Sequence, residues 1–177
     1  MDHCEQCGFV YDSVPAAAVP EQLRSQPSRY AAVLRAAQHE SLARARPGPQ
    51  TWSALEYACH VRDVLRVQRE RLQLALEQER PVFTPMRRDE RAVEDRYNEQ
   101  AVDVVLDELA EAAERIAAAL DGLNDVQWQR TGVYNWPQHA ERSMAWVARH
   151  TVHEGVHHLE DITTGLDILR RARDSGE

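Results

Sequence analysis

The chain contains no lysine; all 21 basic side chains are arginine, which points to coding bias rather than to a function. Cysteine is scarce and odd in number, three in all, which argues against a disulfide framework, and the thiols are expected to be reduced. No apolar run approaches the ~20 residues of a membrane span, which excludes a spanning helix. The opening residues, MDHCEQCG, are polar and show no secretory pattern, so a cytoplasmic location is expected. Positive charge is not in excess either: the net charge of −8 argues against nucleic acid as a partner. There is no internal repeat, and no convincing strand beyond the first few residues. What is present is ordinary for a globular protein. The 177 residues, 43% hydrophobic and 28% charged, suffice for one domain with a real core.

Apolar periodicity divides the chain into a small N-terminal unit (1–15), a helical body (16–165) and an arginine-rich tail (166–177) that is expected to fray. A short helix is expected near Pro20, and a longer one begins about Pro27, with Tyr30, Val33, Leu34, Ala37 and Leu42 as its core face. Arg46-Pro47-Gly48-Pro49 ends it. Ser53 and Glu56 form a capping box for a second helix reaching about Arg80. Its core stripe is Leu55, Ala58, Cys59, Leu65, Leu72 and Leu76, with Trp52 packed at the bundle end. Residues 81–100 hold two prolines and many charges. They read either as a solvated crossover or as a cover for a site, with Arg96–Gln100 within reach of the bundle mouth. Val102, Leu106, Leu109, Ala113, Ile116 and Leu120 make the seam of a third long helix. Asn124 and Gln127 can cap a short turn, and Thr131–Trp136 reads as a loop. Pro137 opens the last helix, which is expected to run to Ile162 and stop by Gly165. The fold class is therefore all-α, a four-helix bundle preceded by a knuckle.

The last helix carries four of the eight histidines: His150, His153, His157 and His158. Trp146, His150, His153 and His157 fall on one helical face, where a core stripe should be aliphatic. Burying unpaired imidazoles is costly, and a metal ion removes the cost. His153 and His157, one turn apart, can chelate a divalent ion. His150 and His157 lie roughly 10 Å apart along the axis and cannot easily share one. A third ligand must then come from another helix, and His60 is the candidate. Cys59 points about 100° away from it and is assigned to the core, as His158 is assigned away from His157. Glu56, Glu154 and His150 are candidates for supporting roles around the ligands. Three imidazoles leave coordination positions open, the arrangement of a working rather than a closed site.

Cys4-Glu5-Gln6-Cys7-Gly8 is a knuckle of the kind that presents two thiolates to zinc, a second candidate metal site. Two further ligands are needed, with His3, His39 and His139 available. A bare reduced turn is the alternative. A redox role fits less well, because no helix starts just after the motif.

The segments TWSALEYACHVRDV and HEGVHH resemble the DinB-like superfamily of four-helix-bundle metalloproteins, over residues 25–165. Thiol-dependent S-transferases and mycothiol-dependent maleylpyruvate isomerases are among its members. The resemblance implies an up-down-down-up bundle and an open three-ligand site for zinc or nickel. It puts the first ligand at His60, in the Trp-Ser-x-x-Glu-x-x-x-His segment, and the others at His153 and His157. The isomerases carry Glu at the first of those last two positions. It further implies a low-molecular-weight thiol, mycothiol or bacillithiol, as cofactor and an electrophile as substrate. The N-terminal knuckle is an addition to the family's four helices. Metal-dependent hydrolysis with Glu56 or Glu154 as base, and a non-enzymatic stress-related metal-binding module with a closed four-ligand site, are the alternatives. A homodimer is compatible with the bundle, though no stripe demands one.

Overall fold

The computed structural model describes residues 3–134 and 139–176. Four long helices form a bundle: α1 (Val19–His39), α2 (Ala54–Glu77), α4 (Val102–Asp121) and α6 (Met144–Asp174). Two short helices, α3 (Arg88–Glu94) and α5 (Asp125–Trp128), interrupt the connections, and an antiparallel hairpin of β1 (Thr131–Tyr134) and β2 (Ala140–Ser143) precedes α6. Helices α1 and α2 each pack chiefly on α4 and α6 and only slightly on each other, so they sit on opposite corners.

Local chemistry accounts for most of the helix ends. Ser53 accepts from the Glu56 amide at 3.2 Å and Glu56 accepts from the Ser53 amide at 2.8 Å, the reciprocal cap read from the sequence. Asn124 and Gln127 repeat that arrangement on α5. Ser143 caps α6 by accepting from the Trp146 amide. The expected seam of α4, from Val102 to Leu120, is buried throughout.

Four expectations are corrected. Pro27 does not open a helix. It lies inside a continuous α1 whose first turn holds Pro20, and Ala16–Ala18 before it form a 3-10 turn. Segment 81–100 is not simply a solvated crossover, because Phe83 and Tyr97 are fully buried in the core and the Tyr97 hydroxyl donates to Asp63 at 2.7 Å. Residues 131–134 are a strand, held by pairing with β2 and by the bridge of Val133 to Val82. Helix α6 runs past Gly165 and through most of the expected tail to Asp174. Gly165 packs on Pro47 instead of ending the helix, and Arg170 forks onto Glu40 at 2.8 and 3.0 Å. The expected start at Pro137 lies outside the described residues. No helix among them is long and apolar enough to cross a membrane.

Candidate metal centre

The capping box fixes the start of α2, and His60 follows less than two turns later, 3% exposed in the bundle interior. Helix α6 brings the other groups, and its rotation decides which. Gln26 of α1 donates to the Val152 carbonyl at 3.0 Å, and the Tyr30 hydroxyl donates to the Gly155 carbonyl at 2.7 Å. These buried bonds seat α6 against α1 with Glu154 and His158 turned toward α2.

His60 therefore meets Glu154 and His158, not His153 and His157. The expected set of His60, His153 and His157 is not gathered at one point. His60 Nε2 lies 3.8 Å from Glu154 Oε2, and His158 Nε2 lies 3.6 Å from the same oxygen. Two nitrogen or oxygen ligands on one tetrahedral ion stand about 3.4 Å apart, given bonds near 2.1 Å, so each imidazole is within a few tenths of an ångström of that spacing from Glu154, and all three ligand atoms lie within 4.8 Å of one another. The His60 and His158 rings are 4.8 Å apart and near perpendicular. Trp52 covers His60 at 5.2 Å and Tyr57 covers His158 at 5.3 Å, so aromatic walls shield both imidazoles from water. His158 Nδ1 is 2.8 Å from Asp161 Oδ2. A carboxylate there can only accept from Nδ1–H, which leaves Nε2 as the atom facing the site, as with a carboxylate behind a metal-binding histidine. His158 is thus at the centre and not turned away, as its neighbour relation to His157 had suggested.

The stripe of Trp146, His150, His153 and His157 exists as read, with successive rings 4.8, 5.5 and 5.2 Å apart. It faces the N-terminal segment, however, and not α2. Phe9 and Tyr11 each lie 5.4 Å from the His153 ring. Tyr11 and His150 share a 2.8 Å hydrogen bond. Cys4, Cys7, His153 and His157 present one ligand atom each within 4.8 Å of one another. Of the other histidines considered for the knuckle, His3, His39 and His139 are outside this group and exposed.

Electrostatics follow from this packing. Burial opposes ionisation of Glu154, but His153, His158 and His60 around it outweigh burial and hold its carboxyl well below the usual range. Burial pushes His60 down. It also disfavours charge on His158, yet Asp161 and Glu154 raise that ring to about 8. Burial disfavours the Cys4 thiolate, but hydrogen bonds from the Cys7 and Gln6 backbone and the nearby His153 ring bring the thiol down to about 6. Burial drives Cys59 up to about 12, and it is an inert core thiol, as expected. Glu56 is taken up by its cap and by a forked pair with Arg46, and His150 by Tyr11. A cleft of about 360 Å³ lined by Gln6, Thr51, Tyr57, Asp161 and Ile168 adjoins the His158 side of the centre.

Histidines and a carboxylate converging from facing helices of a four-helix bundle form an arrangement that could hold a divalent ion. The chain belongs to the DinB superfamily, which it matches over residues 22–162. Its fold is similar to that of YfiT from Bacillus subtilis, described as "a probable metal-dependent hydrolase with an unusual four-helix bundle topology", with a TM-score of 0.78, 18% identity, and coverage of 88% of this chain and 86% of that one. It is also similar to the mycothiol-dependent maleylpyruvate isomerase, with a TM-score of 0.68 and 14% identity, covering 87% of this chain and 63% of the isomerase. No curated protein sequence matches the chain.

The sequence reading missed Glu154 and His158 as partners of His60. The signals were there: Gly155 beside Glu154 marks a close approach of α1, and Asp161 three residues after His158 is a supporting carboxylate in helical register.

Proposed function

We propose that the chain is a divalent-metal enzyme whose ion is held by His60, Glu154 and His158, and that it joins a low-molecular-weight thiol, mycothiol or bacillithiol, to an electrophile or uses it in an isomerisation. The convergence of those three donors, with Asp161 behind His158, carries this reading. The donor set suits zinc or nickel. A divalent ion there would supply Lewis acidity and keep a thiol as thiolate near neutral pH. Glu154 contributes charge, and Asp161 fixes the His158 tautomer. Trp52 and Tyr57 exclude water from the imidazoles, and the adjoining cleft has room for a small thiol. The pattern of Glu followed four residues later by His is also the one that the family resemblance assigns to the isomerases.

Hydrolysis at the same group is the second reading, and the likeness to YfiT favours it at the level of fold. It needs a carboxylate free to act as base. Glu56 is held by Arg46 and Ser53, Glu154 belongs to the ligand group, and Asp161 is bonded to His158. That argues for thiol chemistry instead. The test is conjugation of mycothiol or bacillithiol to a bimane electrophile, run beside an ester hydrolysis assay. The proposal expects conjugation that disappears with chelator and in His60→Ala, with no ester turnover. Conjugation unchanged in His60→Ala, or ester hydrolysis without conjugation, would sink it.

A further inference from the structure

The N-terminal segment forms a tight turn stitched by Cys4 N–H to the Phe9 carbonyl at 2.9 Å and Gly8 N–H to the Cys4 carbonyl at 2.8 Å. Gly8 takes φ +68, the left-handed conformation that lets the chain reverse. His3 bridges Val10 behind it. The turn puts both thiols on one side, neither in a disulfide. That side lies on α6. Cys4 Sγ is 3.6 Å from His157 Nδ1. A sulfur at ~2.3 Å and a nitrogen at ~2.05 Å from one tetrahedral zinc stand about 3.6 Å apart, the spacing observed. His153 supplies an independent indication. It is 7% exposed, and neither ring nitrogen makes a hydrogen bond. An imidazole buried with both nitrogens unsatisfied costs about 1–3 kcal/mol per missing bond, which a ligand at the centre of this group would offset.

We propose that Cys4, Cys7, His153 and His157 form a second, closed zinc site that fastens the N-terminal segment across α6. Two thiolates and two imidazoles fill all four positions of a tetrahedral ion, so this site is structural and leaves no place for substrate. It differs in chemistry from the His60 group, which has no sulfur. It also supports that group. Glu154 Oε1 lies 3.5 Å from His153 Nδ1 while Oε2 faces His60 and His158. Asp161 Oδ2 lies 3.6 Å from His157 Nε2 and 2.8 Å from His158 Nδ1, and Asp161 Oδ1 accepts from Gln6, inside the knuckle, at 3.1 Å. The zinc site thus holds in place one ligand of the other, Glu154, and the residue behind a second, Asp161.

The test is metal content of the full chain purified without air, followed by exchange into cobalt. The expected wild type binds two ions per chain and shows thiolate-to-cobalt charge transfer in the near ultraviolet. His60→Ala should drop to one ion and keep the charge-transfer band. Cys4→Ser/Cys7→Ser should drop to one ion and lose the band. Wild-type protein without the band, or with a Cys4–Cys7 disulfide after anaerobic purification, overturns the second site, and this readout needs no variant to fold. Two ions in wild type with the band present, and no loss in His60→Ala, would instead refute the His60 group and leave the zinc site standing.

Discussion

Gly155 governs the site through what it lacks. A Cβ at this position would sit 2.0 Å from Gln26 Oε1 and 2.5 Å from Gln26 Cδ. The Gln26 side chain is buried and bonded to the backbone of α6, so it cannot swing into solvent. Gly155→Ala is expected to destabilise the fold by about 1–3 kcal/mol through overpacking, read as a lower Tm, and to weaken metal binding at His60 because Glu154 is the adjacent residue. A Tm and a metal content equal to wild type would refute the close-approach argument. A different test concerns Glu56. Burial opposes its charge, but Arg46 and the Ser53 cap hold its carboxyl below the usual range. A folded-state pKa below the unfolded one contributes stability above the unfolded value, about 4.3, that is lost as the pH falls through the folded value. Arg46→Ala should therefore cost about 1–2 kcal/mol at pH 7. The gap to wild type should narrow as the pH drops below about 4, in denaturant melts at a series of pH values.

At the scale of the element, α6 carries two chelating pairs one residue apart, His153 with His157 and Glu154 with His158. Spacing along a helix is identical for both, so the sequence alone points to α6 as the candidate ligand-bearing helix but not to which pair faces α2. Long-range bonds from Gln26 and Tyr30 set the rotation, and one residue of rotation is about 100°. The caps of α2 and α5 and the seam of α4 were legible because they are local. The buried Tyr97 was not, because it depends on Asp63 in α2, and the short strands were not, because their hairpin leans on the distant Val82. The knuckle was visible as a motif, but its docking on α6 was not. Asp161 sits one turn beyond both pairs. Asp161→Asn should weaken metal binding about 10–100-fold while leaving helical content unchanged, measured by competition with a chromophoric chelator. Unchanged affinity would mean that Asp161 serves only the surface.

Across the molecule, the bundle closes around the His60 group while the N-terminal segment covers the outer face of α6. Metal that binds only the folded chain stabilises it, by about 2.7 kcal/mol at a free concentration 100-fold above Kd. Stripping the protein with a strong chelator should lower the Tm, and restoring zinc should recover it; a melt indifferent to chelator would contradict both proposed sites. Glu154 and Asp161, each within reach of the two ligand groups, have one further consequence. Occupancy of either group changes the charge that these carboxylates present to the other. The two affinities are then a single linked quantity: whatever factor the first ion imposes on the second, the second imposes on the first, in either order of loading.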